Sequence, residues 1–230
     1  MLFLTWISLN LEAFEKLKQP EYKTVSIIIP CHFKHAPLLM ELLEAYTMQS
    51  VQPNEVIVSL SEADRVSASI ITSLSEKKWP FHFILLKHQE PVSEGENRNR
   101  ACDAAKGDMM ICNDADDLPH PQRVEVIKYF FDNFPIDFLI HTYTQSIEDW
   151  TVLNPSEIPF VVPKMVNEGG PHANGAVTVS QKIKKRLSWN PAFQQCVDAQ
   201  FNEWVYHLFP NRMLIRTPIY LYRSDLSSYK

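Results

Sequence analysis

Strand and helix signals alternate along the first half of this chain. That order predicts an α/β fold: a mostly parallel central sheet flanked by helices, followed by a mixed C-terminal region. Two further observations support it. The predicted strands are near-continuous apolar runs, such as VSIIIP at residues 25–30, the pattern of strands covered on both faces. The chain's 230 residues, 45% hydrophobic and 11% aromatic, suffice to bury one substantial core. We read one domain over residues 1–230, with an N-terminal docking segment at 1–23, a first half at 24–118 and a second at 119–230.

The elements follow in order. Residues 25–30 form a first strand that Pro30 stops. Residues 36–49 carry Leu39, Leu42, Leu43 and Tyr46 at helical spacing, with Pro37 in a permitted first turn. A second strand covers 55–60, a second helix 61–77 with Val66, Ile70 and Leu74 on one face, and a third strand 81–86. Ser93 and Glu96 have capping-box spacing and open a helix to residue 106. A fourth strand at 108–112 runs directly into an acidic stretch. Beyond Pro119 the pattern loosens. A helix at 121–131 and a strand at 136–143 precede an irregular, Pro- and Asn-rich stretch at 145–175. A short strand at 176–180, an amphipathic helix at 197–208 and a strand at 213–222 complete the chain. The late helix is expected to turn Phe201, Trp204, Val205 and Leu208 inward.

Composition narrows the function. Lys plus Arg total 22 and Asp plus Glu 27, a net charge of −5 that argues against a general nucleic-acid or anionic-membrane binder. The four cysteines form no C-x-x-C pair and read as buried thiols of a reducing compartment. The apolar start lacks a basic region and a cleavage site, and no run reaches the ~20 apolar residues of a membrane span. The expected location is therefore the cytoplasm. Only 5 residues are glycine, against a usual ~7%. Gly95, Gly107, Gly169, Gly170 and Gly175 all fall near candidate motifs and are expected to line one cleft.

In parallel sheets ligands bind beyond the carboxyl ends of the strands, where DADD (114–117) falls. Alternate residues of an extended chain point the same way, so Asp114 and Asp116 can face one space. Three carboxylates in four positions either bind a hard cation such as Mg²⁺ or Mn²⁺, or form a solvated acidic turn capping the next helix. GENRNR (95–100) follows a strand and opens a helix. Gly95 would let a ligand approach the backbone, and Arg98 or Arg100 would add charge-assisted bonds to a diphosphate at a helix N-terminus. The alternative is a solvated basic turn. His32 lies beside the first strand's end, where it can touch a ligand or cap a helix. Trp150 and Trp189, in irregular segments, can stack on sugar rings or pack inward, whereas Trp204 belongs to a core-facing stripe.

Taken together, VSIIIP, EVIV (55–58), Gly95 with Arg98 and Asn99, AKGD (105–108) and DADDLPHP (114–121) resemble the family 2 glycosyltransferases of GT-A fold. Order and spacing match over residues 24–125. More weakly, HANGAVTVS (172–180) resembles that family's acceptor-side segment, CVDAQF (196–201) its Glu-Asp-x-x-Phe motif, and YRSD (222–225) its C-terminal Tyr-Arg-x-His. The resemblance implies a metal-dependent, inverting, hexosyl-type transferase. It would move sugar from a UDP- or GDP-type nucleotide diphosphate sugar to a glycan or other hydroxyl acceptor. Residues 24–118 would hold the donor and 119–230 the acceptor. Mn²⁺ or Mg²⁺ would sit on Asp114, Asp116 and Asp225. Pro30, His32, Glu62, Gly95, Arg98 and Asp114 would contact the donor, Asp198 would be the general base, and His172 and Trp189 would face the acceptor.

The chain departs from the pattern at three places. Glu62 stands where the family carries an Asp after the second strand, Val197 replaces the Glu before the base, and Asp225 replaces the C-terminal His. Two rival readings share the fold signals. One is a non-catalytic nucleotide- or sugar-binding module, which Val197 and SLSE (59–62) would fit. The other is a sugar-nucleotide pyrophosphorylase, whose Gly-rich loop after the first strand is here CHFKH (31–35).

Overall fold

The computed structural model describes residues 24–163, 174–192 and 197–226. Among them a single nine-stranded sheet runs through both halves of the chain. Strands β1 (Val25–His32), β2 (Glu55–Ser61), β3 (His82–Lys87) and β4 (Met109–Cys112) are mutually parallel in the order β3-β2-β1-β4. The later strands are β5 (Leu118–Pro119), β6 (Phe138–Thr144), β7 (Phe160–Val161), β8 (Val177–Ser180) and β9 (Arg212–Leu221). They extend the sheet beyond β4 as β8-β6-β9-β5, with β7 also on β9. Strand β8 is antiparallel to both β4 and β6, and β9 is parallel to β6. This is the mixed C-terminal region the sequence predicts.

Helices cover both faces, which explains the unbroken apolar strands. On one face α1 (Leu39–Thr47), α2 (Ala68–Glu76) and α4 (Arg123–Asn133) bury Leu39, Leu42, Leu43, Leu74, Val124 and Ile127 against Ile27, Ile29, Val56 and Val58. On the other, α3 (Glu94–Ala104) and α6 (Val197–Leu208) bury Ala101, Cys102, Phe201 and Val205 against Ile28, Ile57 and Met110. A short α5 (Gln181–Lys184) follows β8 and buries Ile183 there. Successive residues of β1 and β2 thus feed opposite cores, as strand geometry requires. Cys31, Cys102 and Cys112 are buried cysteines outside any disulfide, and Cys196 lies outside the described residues. No helix among the described residues is long and apolar enough to cross a membrane.

Three local expectations change. Strand β1 does not stop at Pro30 but runs to His32, paired to β2 throughout. Pro30 shares the parity of Ile28, whose carbonyl accepts the Asn113 N–H where β4 ends, so its missing donor faces a side with no strand left to pair. The second helix begins at Ala68, not at residue 61. Glu62 takes a left-handed φ of 51° and Ala63–Arg65 form one 3₁₀ turn first. Helix α6 buries Phe201 and Val205 as expected. It leaves Trp204 38% and Leu208 49% exposed, and buries Asn202 and Tyr206 instead. Phe201 stacks on Trp189 at 3.9 Å and Tyr206 meets Phe138 edge-on, and these contacts set the helix rotation.

Candidate active site

The site is built where the parallel strands end. Asn113, the first residue past β4, is buried and wires the acidic loop to the core. Its side-chain carbonyl accepts from Tyr46 at 2.8 Å and from Arg123 at 2.6 Å, while its amide donates to the carbonyls of Asp114 (2.8 Å) and Asp117 (3.3 Å). Arg123, fully buried in the first turn of α4, also donates to the Cys112 carbonyl at 2.8 Å, to His141 Nε2 at 3.0 Å and to the Gly175 carbonyl. None of these partners is a carboxylate. Burial and the Arg123 charge hold His141 well below its ordinary pKa, so its ring is neutral and Nε2 can accept. The turn leading into β8 is therefore pinned to the loop that follows β4.

The three aspartates sit above this floor. Asp114 accepts from Arg98 at 2.6 Å. Its own N–H donates to the Tyr220 hydroxyl at 3.0 Å. Burial lifts its pKa to about 6 against the lowering pull of Arg98. Asp117, 1% exposed, accepts from the Arg223 N–H at 2.8 Å. Burial first, then the Asp114 charge, push it up to about 8. Asp116 is half-buried and raised by burial, with His35 and Arg223 as the positive groups that oppose the shift. Ionising all three together is costly unless a cation joins them.

A second cluster lines the ends of β1 and β2. His32 Nε2 lies 2.9 Å from Glu62, which also takes Arg65 at 2.5 Å, and the Arg65 guanidinium lies 3.6 Å from the Phe33 ring centre. The Arg65 bond is the main cause that holds the Glu62 carboxyl below its ordinary pKa. Behind it, Asn97 joins three elements: it accepts from Ser59 at 2.5 Å and donates to the Cys31 carbonyl at 3.1 Å.

The family model described as "Glycosyl transferase family 2" matches residues 26–207, well over half of the chain. The protein belongs to glycosyl transferase family 2. An uncharacterized glycosyltransferase of Methanocaldococcus jannaschii is 24% identical over 186 residues, covering 79% of this chain and 63% of the relative. The chain thus spans under two thirds of that relative's length. Among solved structures, it is similar to S. aureus TarS 1-349 in complex with UDP. The TM-score is 0.70 at 15% identity, over 87% of this chain and 60% of the other. It is also similar to the mannosyltransferase PcManGT from Pyrobaculum calidifontis in complex with GDP-Man and Mn²⁺. There the TM-score is 0.58 at 15% identity, over 94% and 62%. The fold is GT-A.

Within this glycosyltransferase fold, the predicted residues divide. Asp114, Asp116, Arg98, His32 and Glu62 all come to the carboxyl ends of the strands. Arg98 does so differently from expectation. It is fully buried and bonds Glu94 at 2.8 Å and Asp114 at 2.6 Å, so it steadies a carboxylate and offers no open fork to a diphosphate. Pro30 lies in the buried run of β1, beneath His32. Gly95 serves packing and not ligand approach: a Cβ there would stand 3.1 Å from Val197 Cγ1 and 3.3 Å from Trp189 Cβ. Trp189 is 2% exposed and stacked on Phe201, so it presents no face to an acceptor sugar. Trp150 meets His120 edge-on at 5.1 Å.

Asp225 is exposed in the turn after β9, and no group of three His, Cys, Asp or Glu side chains arranged to hold a metal occurs among the described residues. The chain leaving β9 reaches the loop through Arg223, whose side chain bonds the Asp116 carbonyl and, at 2.6 Å, Glu41. Asp198 lies in the first turn of α6, where its backbone but not its side chain is described. His172, Gly169 and Gly170 lie outside the described residues.

The glycines do not line one cleft either. Gly107 sits at the opposite end of the sheet against Ser26, whereas Gly175 does abut the site. Sequence reasoning missed Asn113, Arg123, His141 and Tyr220. Arg123 had one legible signal, a cation four residues before Ile127 on the buried stripe of α4. Tyr220, within a strand, had none.

Proposed function

We propose that this family 2 glycosyltransferase transfers a sugar from a UDP- or GDP-type nucleotide diphosphate sugar to a hydroxyl acceptor such as a glycan, with metal assistance and inversion. The observation that carries the reading is the desolvated carboxylate set of Asp114, Asp116 and Asp117 at the carboxyl ends of the parallel strands, with Asp114 and Asp117 pushed up to about 6 and about 8. An oxygen-only set of this kind fits Mg²⁺ or Mn²⁺. Those ions are commonly held by one or two carboxylates and completed by phosphate oxygens, so a three-residue protein cage is not required. Asp114 and Asp116 would hold the ion, with Asp117 behind them. When bound, the ion would offset charge on the departing diphosphate, a contribution of several kcal/mol.

The protein's own groups do the rest. Arg98 keeps Asp114 ionised and oriented. His32 and Glu62, at the ends of β1 and β2, supply a donor and an acceptor for the nucleoside end of the substrate. Asp198 takes the proton from the acceptor hydroxyl as its oxygen attacks the anomeric carbon from the face opposite the leaving group, which inverts the configuration. PcManGT, solved with GDP-Man and Mn²⁺, supports a nucleotide-sugar donor and a divalent ion on this fold.

Calorimetric titration with UDP and with GDP, each with Mn²⁺, tests the donor site. Binding of one nucleotide is expected, and its persistence unchanged in excess EDTA would refute the metal role. Asp198→Asn should keep nucleotide affinity within about threefold and lower transfer by about 10²–10⁴-fold, the usual worth of a general base. Retained turnover in that variant would move the base elsewhere.

A further inference from the structure

Tyr220 occupies a position that the proposed chemistry does not use. It is fully buried near the end of β9, over a hundred residues from the acidic loop in sequence, yet its hydroxyl accepts the Asp114 N–H at 3.0 Å. Its ring lies under the Arg123 guanidinium, 4.7 Å from ring centre to Cζ, and Arg123 in turn holds Asn113 and the Gly175 carbonyl. Gly175 is glycine for a steric reason: a Cβ there would run into the Tyr220 hydroxyl and stand 2.8 Å from Asp114 Oδ2. Three distant segments, the loop after β4, the turn before β8 and the end of β9, therefore meet at one phenolic oxygen.

We infer that Tyr220 is a positioning residue for the metal-binding loop: its hydroxyl fixes the backbone of Asp114, and Gly175 leaves the space for it. Anchoring the first residue of the four-residue loop constrains where Asp116, two residues on, can point. The ring, stacked on a buried guanidinium that is itself bonded to five groups, has little freedom to move. This inference rests on the donor-site reading above for its consequence, but not for its geometry.

Tyr220→Phe in the full chain keeps the ring and removes the oxygen. Amide exchange at Asp114 reads the hydrogen bond without any ligand and is expected to quicken by about tenfold. Titration with Mn²⁺ alone, and with Mn²⁺ plus UDP or GDP, should show affinity falling by about fivefold to tenfold, with a melting temperature within a few degrees of wild type. Gly175→Ala, which forces the hydroxyl away while leaving it present, should give the same two changes. Unchanged Asp114 exchange in both variants overturns the inference. So does a variant that melts earlier yet binds as wild type, since that is a purely structural role. If the wild type binds neither nucleotide, the donor-site reading fails, and the exchange measurement still decides whether Tyr220 holds the loop.

Discussion

Three acidic residues at the amino end of the central sheet and three in one loop at its carboxyl end are treated in opposite ways. At the amino end, every carboxylate is matched to donors. Glu55 accepts from Ser26 at 2.6 Å, Lys106 N–H at 2.6 Å and Gly107 N–H at 3.2 Å. Asp108 accepts the Thr24 N–H and hydroxyl at 2.9 and 2.8 Å. Asp137 takes Ser180 at 3.3 Å, Lys182 at 2.7 Å and Asn211 at 3.3 Å. At the carboxyl end, Asp114, Asp116 and Asp117 crowd one loop, burial raises all three pKa values, and like charges push on Asp114 and Asp117. The residue type is shared, so the contrast lies in the supply of donors and in spacing. Dispersed, saturated acids tie strands together, whereas clustered, desolvated acids hold an unmet demand for positive charge. A stable structure tolerates the second arrangement where binding a cation answers it.

That contrast can be broken most forcefully at Asp116. Asp116→Ala is expected to lower metal-dependent nucleotide binding and transfer by about 10²-fold or more, with little loss of thermal stability because a strained carboxylate is removed. A parallel drop in melting temperature would place Asp116 with the structural acids. Glu55→Ala should do the reverse. It leaves the buried Ser26 hydroxyl and the Lys106 N–H without their acceptor and should cost about 2–4 kcal/mol in chemical denaturation. Nucleotide affinity of the folded fraction should be unchanged, and a selective loss of affinity would contradict the division between the two ends.

The smallest expected effect is the most diagnostic of desolvation. Asp117 binds its proton more tightly folded, near pH 8, than unfolded, near the ordinary ~3.9. The folded state therefore carries more proton between those values, and its contribution to stability falls as pH rises through them. Without metal, the wild type should lose on the order of 1–2 kcal/mol relative to Asp117→Asn between pH 6 and pH 8. Urea denaturation of both proteins at the two pH values measures this, and equal slopes would mean that Asp117 is not desolvated. His141, held neutral, contributes the opposite slope below about pH 6.5 in both proteins and cancels in the difference.

Much of the fold was legible because its signals are local. Apolar runs at 25–30, 55–58 and 108–112 mark strands buried on both faces, and the Ser93 cap is realised with its hydroxyl accepting the Glu96 N–H at 3.2 Å. Where only part of a signal is local, the reading slipped. Trp189 and Gly95 look like ligand contacts in isolation, but each packs against α6, more than a hundred residues from Gly95 in part, and no pattern in the chain states that meeting. The rotation of α6 went the same way, since Trp204 and Leu208 obey the helical period while Phe201 and Tyr206 are fixed by partners on other elements.

By itself the sequence determined the alternating α/β order, the parallel first four strands and the placement of DADD at the end of one of them. Strand geometry sets the alternation of side-chain direction, and the strand–helix alternation sets the ligand-facing edge, before any tertiary contact forms. Tertiary structure alone decided which acids are saturated and which are not. It also decided that Arg98 steadies Asp114, that Arg223 reaches the acidic loop, and that Tyr220 and Gly175 close around it. The physical reason is that hydrogen-bond satisfaction and desolvation depend on atoms brought together by folding, and here those atoms lie up to 107 residues apart in the chain.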